Sequence, residues 1–351
     1  MCDIFTQPQS WVEGSAIQQL KAAEKLDGMK KVVGLPDIHP GKGHPIGASF
    51  LSNNIHPTLV GSDIGCGMSV SKINTPLQKI KINKWYKKLK KVEKMDIDNS
   101  IFEGTNIAGL DLTKLGTVGS GNHFIEIQKI NEVYNENSDF KKNDVILVVH
   151  SGSRGYGTFV FNKFQKDFGY NPLTDPVIQQ DYLEKHDKAI LWAYLNRQAL
   201  THKTEQALGV KTTLLLDICH NYVEKTPEGH FLHRKGAAST YEKSLLIVPG
   251  SRDSYSYLFK GLHNNALNSI AHGAGRKWKR SECKGKLKNF TADRFKKTSF
   301  GGFVICEDKK LLFEEAPQSY KEINQVIDDI EHFKLGQKIA QSIPILTYKT
   351  A

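Results

Sequence analysis

Apolar positions along this chain fall into two textures. In the first they recur every three or four residues: Ile17, Leu20 and Ala23 within WVEGSAIQQLKAAEKLDGM predict an amphipathic helix, with Ser15 as its N-cap and Gly28 as its stop. The Lys-rich stretch KINKWYKKLKKVEKM, residues 177–208 and APQSYKEINQVIDDIEHF read as helical too. In the second texture, from 32 to 70, short apolar pieces (KVVGLP, GASFLS, PTLVGSDIGCGMSV) are punctuated by Gly and Pro, which predicts short strands joined by tight loops. Three more runs predict strands that each meet a polar loop: FIEIQ after GTVGSGNH, DVILVVH before SGSRGYG, and TTLLLDICH before NYVE. Histidines therefore sit at strand ends. Strands and helices do not alternate regularly, and no repeat or long linker is present, so the pattern predicts an α+β fold rather than a doubly wound sheet.

Composition narrows the class. The 351 residues are 39% hydrophobic and 24% charged, which excludes collagen, low-complexity disorder and a membrane bundle. No apolar run approaches the roughly 18 residues of a membrane span, and the opening MCDIFTQPQSWVEGS lacks the basic and apolar parts of an export signal. Forty-eight Lys and Arg against 37 Asp and Glu give +11, a balance suited to a polyanionic partner. The five cysteines are scattered and form no C-x-x-C pair, which points away from a disulfide framework or zinc ribbon and toward a reduced cytoplasm.

The densest chemistry is GSDIGCGM, where Asp63 and Cys66 lie three apart in a loop that three glycines allow to turn sharply. Alone, this reads better as a buried cysteine in a Gly-rich turn. Company changes the reading: His123, His150, His220 and His272 each stand beside small or amide residues at the edge of an apolar segment. Imidazoles and a thiolate as softer donors, with a carboxylate as the hard one, match the ligands of one or two Zn²⁺ or Mn²⁺ ions. Because these residues stretch from Asp63 to His272, the pattern predicts one domain spanning residues 1–351, folded around one site.

Beside them lie anion binders. Arg154 follows His150 by four residues, Arg276 follows His272 by four, and HRKGA carries Arg234 and Lys235. Residues 276–297 hold ten Lys or Arg against two acids, with Trp278 and two phenylalanines interleaved, a composition that suits single-stranded nucleic acid or else a solvated basic face. The Lys-rich helix near Lys87 reads as a solvated face. One decoy is Lys25-Leu26-Asp27-Gly28, a K-x-D-G match to the lysine nucleophile of other nucleotidyl-transferring ligases; it lies at the end of an amphipathic helix, with no metal-ligand context.

PDIHPGKGHPIGA, GSDIGCGM, GTVGSGNHFIE, HSGSRG, HNYVE, HRKGA, HGAGR and EEAPQSYK occur in that order, and together they resemble the RtcB family of RNA ligases. The opening FTQPQSWVEGSAIQQL resembles the subgroup described as release-factor-H-coupled. The resemblance implies an enzyme dependent on GTP and Mn²⁺ that joins an RNA 3′-phosphate or 2′,3′-cyclic phosphate end to a 5′-hydroxyl end. His272 matches the nucleophile that carries GMP, and Asp63, Cys66, His123, His150 and His220 match the ligands of two Mn²⁺ ions. Guanylate contacts map to Asn122, His123, Phe124, Ile125 and Glu126, to His220 and Asn221, and to Pro249, Gly250, Ser251 and Arg252. They continue with Ser256, His272, Gly273, Ala274 and Gly275. Tyr320 resembles a tyrosine that packs on guanine, and Lys349 a C-terminal lysine that contacts it. Arg154, Arg276 and Arg280 are candidates for RNA phosphates, Asp37 and His39 for supporting or end-processing roles, and a release-factor-like protein for a functional partner.

Three departures stand out: Ala271 before HGAGR where the family has Ser, PGSRD with Arg252 and Asp253 in place of PGSMG, and Ser120 in place of glycine. None removes a ligand or the nucleophile, but Arg252 adds charge near the nucleotide loop. Two other readings use the same residues: a metal-dependent phosphodiesterase or phosphatase acting on RNA ends, and a noncatalytic RNA-binding protein with a structural metal.

Overall fold

The computed structural model describes residues 1–103, 105, 110–135, 138–241 and 244–350. Helices and strands are mixed, and the principal sheet is antiparallel. Its strands lie in the order Leu245–Pro249, Ser256–Gly261, Gly336–Tyr348, Phe124–Val133, Val145–Ser151, Gly67–Ile73 and Thr212–Cys219, with Phe303–Ile305 added parallel to Gly336–Tyr348. The sheet curls until it nearly closes. Leu216 from one edge strand and Ile247 from the other share a core with Met68, Val70, Ile146, Val148 and Leu258. Alternate residues face the other way, as the two-residue period of a strand requires. Ile125, Ile127, Val145, Leu147 and Val149 pack outward against Trp85 and Leu89 of helix Ile82–Leu89 and Leu200 of helix Pro176–Leu208.

A second sheet runs Cys2–Ile4, Met29–His39, Ile46–Ser52, Phe231–Lys235, Asn221–Lys225. Its faces divide by the same alternation. Val32 and Phe50 pack with Ala16, Leu20 and Ala23 of helix Gly14–Ala23, whereas Val33 and Leu35 face the ribbon Ala237–Ser239/Ser269–Ala271 and helix Ile323–His332.

Local signals account for several boundaries. Asp175 accepts from the backbone N–H groups of Val177 and Ile178 and Pro176 opens the long helix, which a left-handed Gly209 closes. Among the described residues no helix is long and apolar enough to cross a membrane. The first helix differs from expectation: it begins at Gly14 with Glu13 at the cap position, and Ser15 Oγ donates to Glu13 Oε1 at 2.6 Å instead of capping. Pro57–Val60, read as part of a strand, is a single helical turn, because Pro57 has the backbone angle of a first helical residue. The predicted C-terminal helix is shorter, Ile323–His332, leaving Tyr320 extended ahead of it.

The long helix also braces the loops around the strand ends. Arg197, 1% exposed, donates from Nε to both carboxylate oxygens of Asp217 at 3.1 and 2.9 Å, and from Nη1 to the carbonyls of Gly65 and Ser151 at 3.0 Å each. Its neighbour Asn196 accepts from Gly116 N–H at 2.8 Å and donates to Thr117 O and Ser151 Oγ at 2.9 Å each. Arg197→Met strips a largely buried carboxylate and two carbonyls of their donor, and is expected to cost about 3–5 kcal/mol in urea unfolding, with Arg197→Lys intermediate. An unfolding midpoint equal to that of the unmodified protein would refute this bracing role.

Candidate active site

Strand parity builds the centre. Met68 and Val70, Ile146 and Val148, and Leu216 share the interior of the curled sheet, and stepping two residues toward the strand ends reaches Cys66, His150 and, through Ile218, His220. Pairing then sets them side by side: Met68 lies opposite both His150 and Ile218, and His220 N–H donates to Cys66 O at 2.8 Å. Cys66, His123, His150 and His220 are all buried. Cys66 Sγ stands 3.3 Å from His123 Nε2 and 3.3 Å from His150 Nε2, and His150 Nε2 is 3.3 Å from His220 Nε2. Asp63 Oδ2, on a part-exposed side chain at the rim, is 3.4 Å from His123 Nε2.

This donor set fits a cation. Cys66, His123 and His150 each offer one ligand atom, all within 4.8 Å of one another. His150 Nδ1 is 3.2 Å from Asn122 O, which fixes the proton on Nδ1 and leaves a lone pair on Nε2 toward the centre. Burial, then the Asp63 charge, pushes the Cys66 thiol well above its ordinary range, and burial holds His150 and His220 well below theirs. Neutral imidazoles are ready ligands, and a bound cation reverses the cost of the thiolate. Arg154, by contrast, donates toward His123 Nδ1 at 3.3 Å, which favours the Nε2–H tautomer; a cation at Nε2 displaces that arrangement.

His272 follows the ribbon strand Ser269–Ala271 and lies against the centre, its ring centroid 4.8 Å from that of His220. Its Nδ1 is 2.6 Å from Oδ2 of the fully buried Asp37, which also accepts from His272 N–H at 3.3 Å. Nδ1 makes no aligned hydrogen bond among the described residues, but the Asp37 charge beside it favours a proton on Nδ1 and so leaves the Nε2 lone pair free. Two glycines permit this packing. A Cβ on Gly236 would come within 2.8 Å of the His272 ring, and one on Gly275 within 2.2 Å of the Asp37 carbonyl, and both have positive φ.

The centre opens on a cleft of about 300 Å³ whose wall includes His272, Asp63, Glu126, Arg280 and Lys349. At its far end Glu315, 3% exposed, accepts from Arg276 Nη1 at 3.0 Å and from the Tyr320 hydroxyl, with Lys349 Nζ at 3.7 Å. Burial pushes its carboxyl up, but Lys349, Arg276 and Arg280 outweigh that and draw it down to about 2. Glu126 accepts from Gln128 Nε2 at 2.6 Å and Thr347 Oγ1 at 2.5 Å, and burial raises its carboxyl.

Most of the nucleotide residues expected from the sequence meet here. Asn122, Phe124, Glu126, His220, Asn221, Tyr320 and Lys349 line the cleft, as do the Pro249–Gly250–Ser251–Arg252 and His272–Gly273–Ala274–Gly275 loops. Ile125 does not: its side chain points into the outer core by strand alternation. Ser256 is buried off the cleft, where its Oγ accepts from the Gln128 that holds Glu126. Arg276 is committed to the protein through Glu315, Glu314 O, Trp278 O and the face of Tyr320, whereas Arg280 keeps a part-exposed guanidinium on the cleft. Arg252 borders the cleft but commits its guanidinium to Leu312 O, donating at 2.8 Å, and to the face of the Phe295 ring, and Asp253 accepts from Ser299, so the two departures together latch this loop to the 295–312 region. Arg234 is fully buried, in an ion pair with Glu224. Sequence reading passed over Arg197, Asn196 and Glu315; for Glu315 the signal was its place in EEAPQSYK, and for the other two there was none.

A buried Cys/His group that fits a metal ion, a histidine set against a carboxylate and a rim of cations share one cleft, an arrangement suited to an enzyme of phosphate chemistry. Residues 19–107 and 106–350 match the family described as tRNA-splicing ligase RtcB. Over 97% of its length the chain is 38% identical to "RNA-splicing ligase RtcB2" of Escherichia coli, covering 93% of that protein. It is 26% identical to "tRNA-splicing ligase RtcB" of Nanoarchaeum equitans over 92% of the chain and 88% of the relative. Against the protein of the same description in Methanococcus maripaludis it is 25% identical, over 95% and 91%. The chain belongs to the RtcB family of RNA ligases.

If the buried cluster is the metal centre, Cys66→Ser and His150→Ala each weaken Mn²⁺ retention by at least ~tenfold in equilibrium dialysis with elemental analysis. Retention equal to that of the unmodified protein in both variants would place the ion elsewhere.

Proposed function

We propose that this ligase joins RNA 3′-phosphate or 2′,3′-cyclic phosphate ends to 5′-hydroxyl ends, using GTP and a guanylate carried on His272, within one catalytic domain. The observation that carries the reading is the pairing of His272 Nδ1 with Asp37 at 2.6 Å, immediately beside the Cys/His donors. With its proton held at Nδ1, His272 attacks the α-phosphorus of GTP through Nε2. A P–N bond forms and the bond to pyrophosphate breaks. Water first opens a cyclic phosphate to a 3′-phosphate. An oxygen of that phosphate then takes GMP from His272, and the 5′-hydroxyl displaces GMP as the new phosphodiester forms.

Asp63, Cys66, His123, His150 and His220 would hold a pair of Mn²⁺ ions, which supply charge neutralisation to the attacking and leaving oxygens of such displacements. The chain's own residues do the rest. Asp37 is a positioning residue, keeping the nucleophile in one tautomer. Glu126, Lys349 and Tyr320 offer an acceptor, a cation and a ring face for guanine, and Ser251 with the Gly273–Gly275 backbone offers donors for the guanylate phosphate. Arg154 and Arg280 are assigned to RNA phosphates, and Arg276 to holding Glu315 and Tyr320 in place. From the opening FTQPQSWVEGSAIQQL we assign the chain to the release-factor-H-coupled subgroup, repairing broken RNA in the cytoplasm with a release-factor-like protein as functional partner.

The test is labelling with α-phosphate-labelled GTP and Mn²⁺. The unmodified protein is expected to form an acid-labile, alkali-stable adduct, His272→Ala none, and Asp37→Asn to form it at least ~100-fold more slowly. No adduct on metal-loaded unmodified protein would favour a hydrolase acting on RNA ends, and a labelled His272→Ala would remove His272 as nucleophile.

A further inference from the structure

Residues 276–297 contribute ten Lys or Arg against two acids, the bulk of the chain's +11. The fold turns most of these cations outward, Arg276 being held inside by Glu315. Cys283, Leu287 and Phe295 are the buried anchors of helix Arg280–Lys286 and the turn Ala292–Lys296, with Leu287 and Phe295 packing on Val304, Cys306, Leu311 and Leu312. Both acids are neutralised locally, Glu282 by Lys286 at 3.0 Å and Asp293 by Lys296 at 2.7 Å. Lys279, Lys284, Lys288, Arg294 and Lys297 are exposed, and among the described residues they make no ion pair. Phe290, 41% exposed, adds an open aromatic face beside Phe295 at 5.8 Å between ring centroids. The surface begins at the active site, because Arg280 at its start lines the cleft.

We infer that this face is a track for single-stranded RNA, gripping the phosphodiester backbone and stacking a base beyond the nucleotides that react in the cleft. The inference rests on the ligase reading for why RNA lies there, but the face stands apart from the catalytic machinery. Unpaired cations in a row release counterions when phosphates replace them, and an exposed ring accepts a base of any identity. The Lys-rich helix Ile82–Leu89 is the internal contrast. Its Trp85 and Leu89 pack into the core, Lys84, Lys87 and the following Lys91 are exposed, and none of these three lysines reaches the cleft.

The test compares two variants matched in charge. Lys284→Gln/Lys288→Gln/Arg294→Gln removes three track cations, and Lys84→Gln/Lys87→Gln/Lys91→Gln removes three from the contrast helix and the turn after it. Binding of a single-stranded RNA carrying a 3′-phosphate is followed by fluorescence anisotropy across a salt titration. The track variant is expected to flatten the log–log salt dependence by about 2, at ~0.7 per phosphate on a single strand, and to raise KM for RNA about tenfold. Its rate of guanylylation by GTP should match the unmodified protein, and the contrast variant should match it in every readout. Equal losses in both variants, or none in the track variant, would overturn the inference. Absence of guanylylation in the unmodified protein would count against the ligase reading, leaving the paired RNA-binding curves to decide the track.

Discussion

Strand Gly67–Ile73 pairs with Val145–Ser151 on one side and Thr212–Cys219 on the other, and this double antiparallel register governs everything built above it. Because successive side chains alternate faces, the interior rows ending at Met68, Val148 and Leu216 continue to Cys66, His150 and, past Ile218, His220. A slip of one residue in either pairing would turn a row of core side chains to the wrong face along with its donor. The apolar core and the polar centre are therefore specified together. Arg197 secures the same register from outside, tying Asp217, Gly65 and Ser151 to one guanidinium.

A second constraint is charge. The far end of the cleft gathers Lys349, Arg276 and Arg280 around Glu315, and together they draw its carboxyl down against the effect of its burial. The arrangement holds the Tyr320 ring between Glu315 and the Arg276 guanidinium. Membership in the RtcB family of RNA ligases gives this geometry its chemical setting, with a buried Cys/His cluster that fits a metal ion at one end of the cleft and an ordered set of cations and carboxylates at the other.

The sequence made the centre readable because its donors stand where hydrophobic runs end. DVILVVH and TTLLLDICH each announce a strand together with the histidine that follows its apolar run. The supporting residues were not readable in the same way, since Arg197 meets Asp217 across 20 residues, and Gly65 and Ser151 across larger separations, through tertiary packing alone. The strand Gly336–Tyr348 escaped notice because Pro344 and interior Gln341 and Ser342 interrupt its pattern, although it carries Thr347 to Glu126 and leads into Lys349. Ile125 shows the opposite error. A contiguous stretch of five residues cannot all face one ligand in a strand, so alternation turned Ile125 outward while Phe124 and Glu126 faced the cleft.

The most direct examination of this convergence is anomalous diffraction at the manganese edge from crystals grown with Mn²⁺. Convergence of the strand ends on a metal centre predicts anomalous density among Cys66 Sγ, His150 Nε2 and His220 Nε2, extending toward Asp63 and His123. Well-ordered side chains at these positions with no anomalous density between them, or density only at another site, would contradict it.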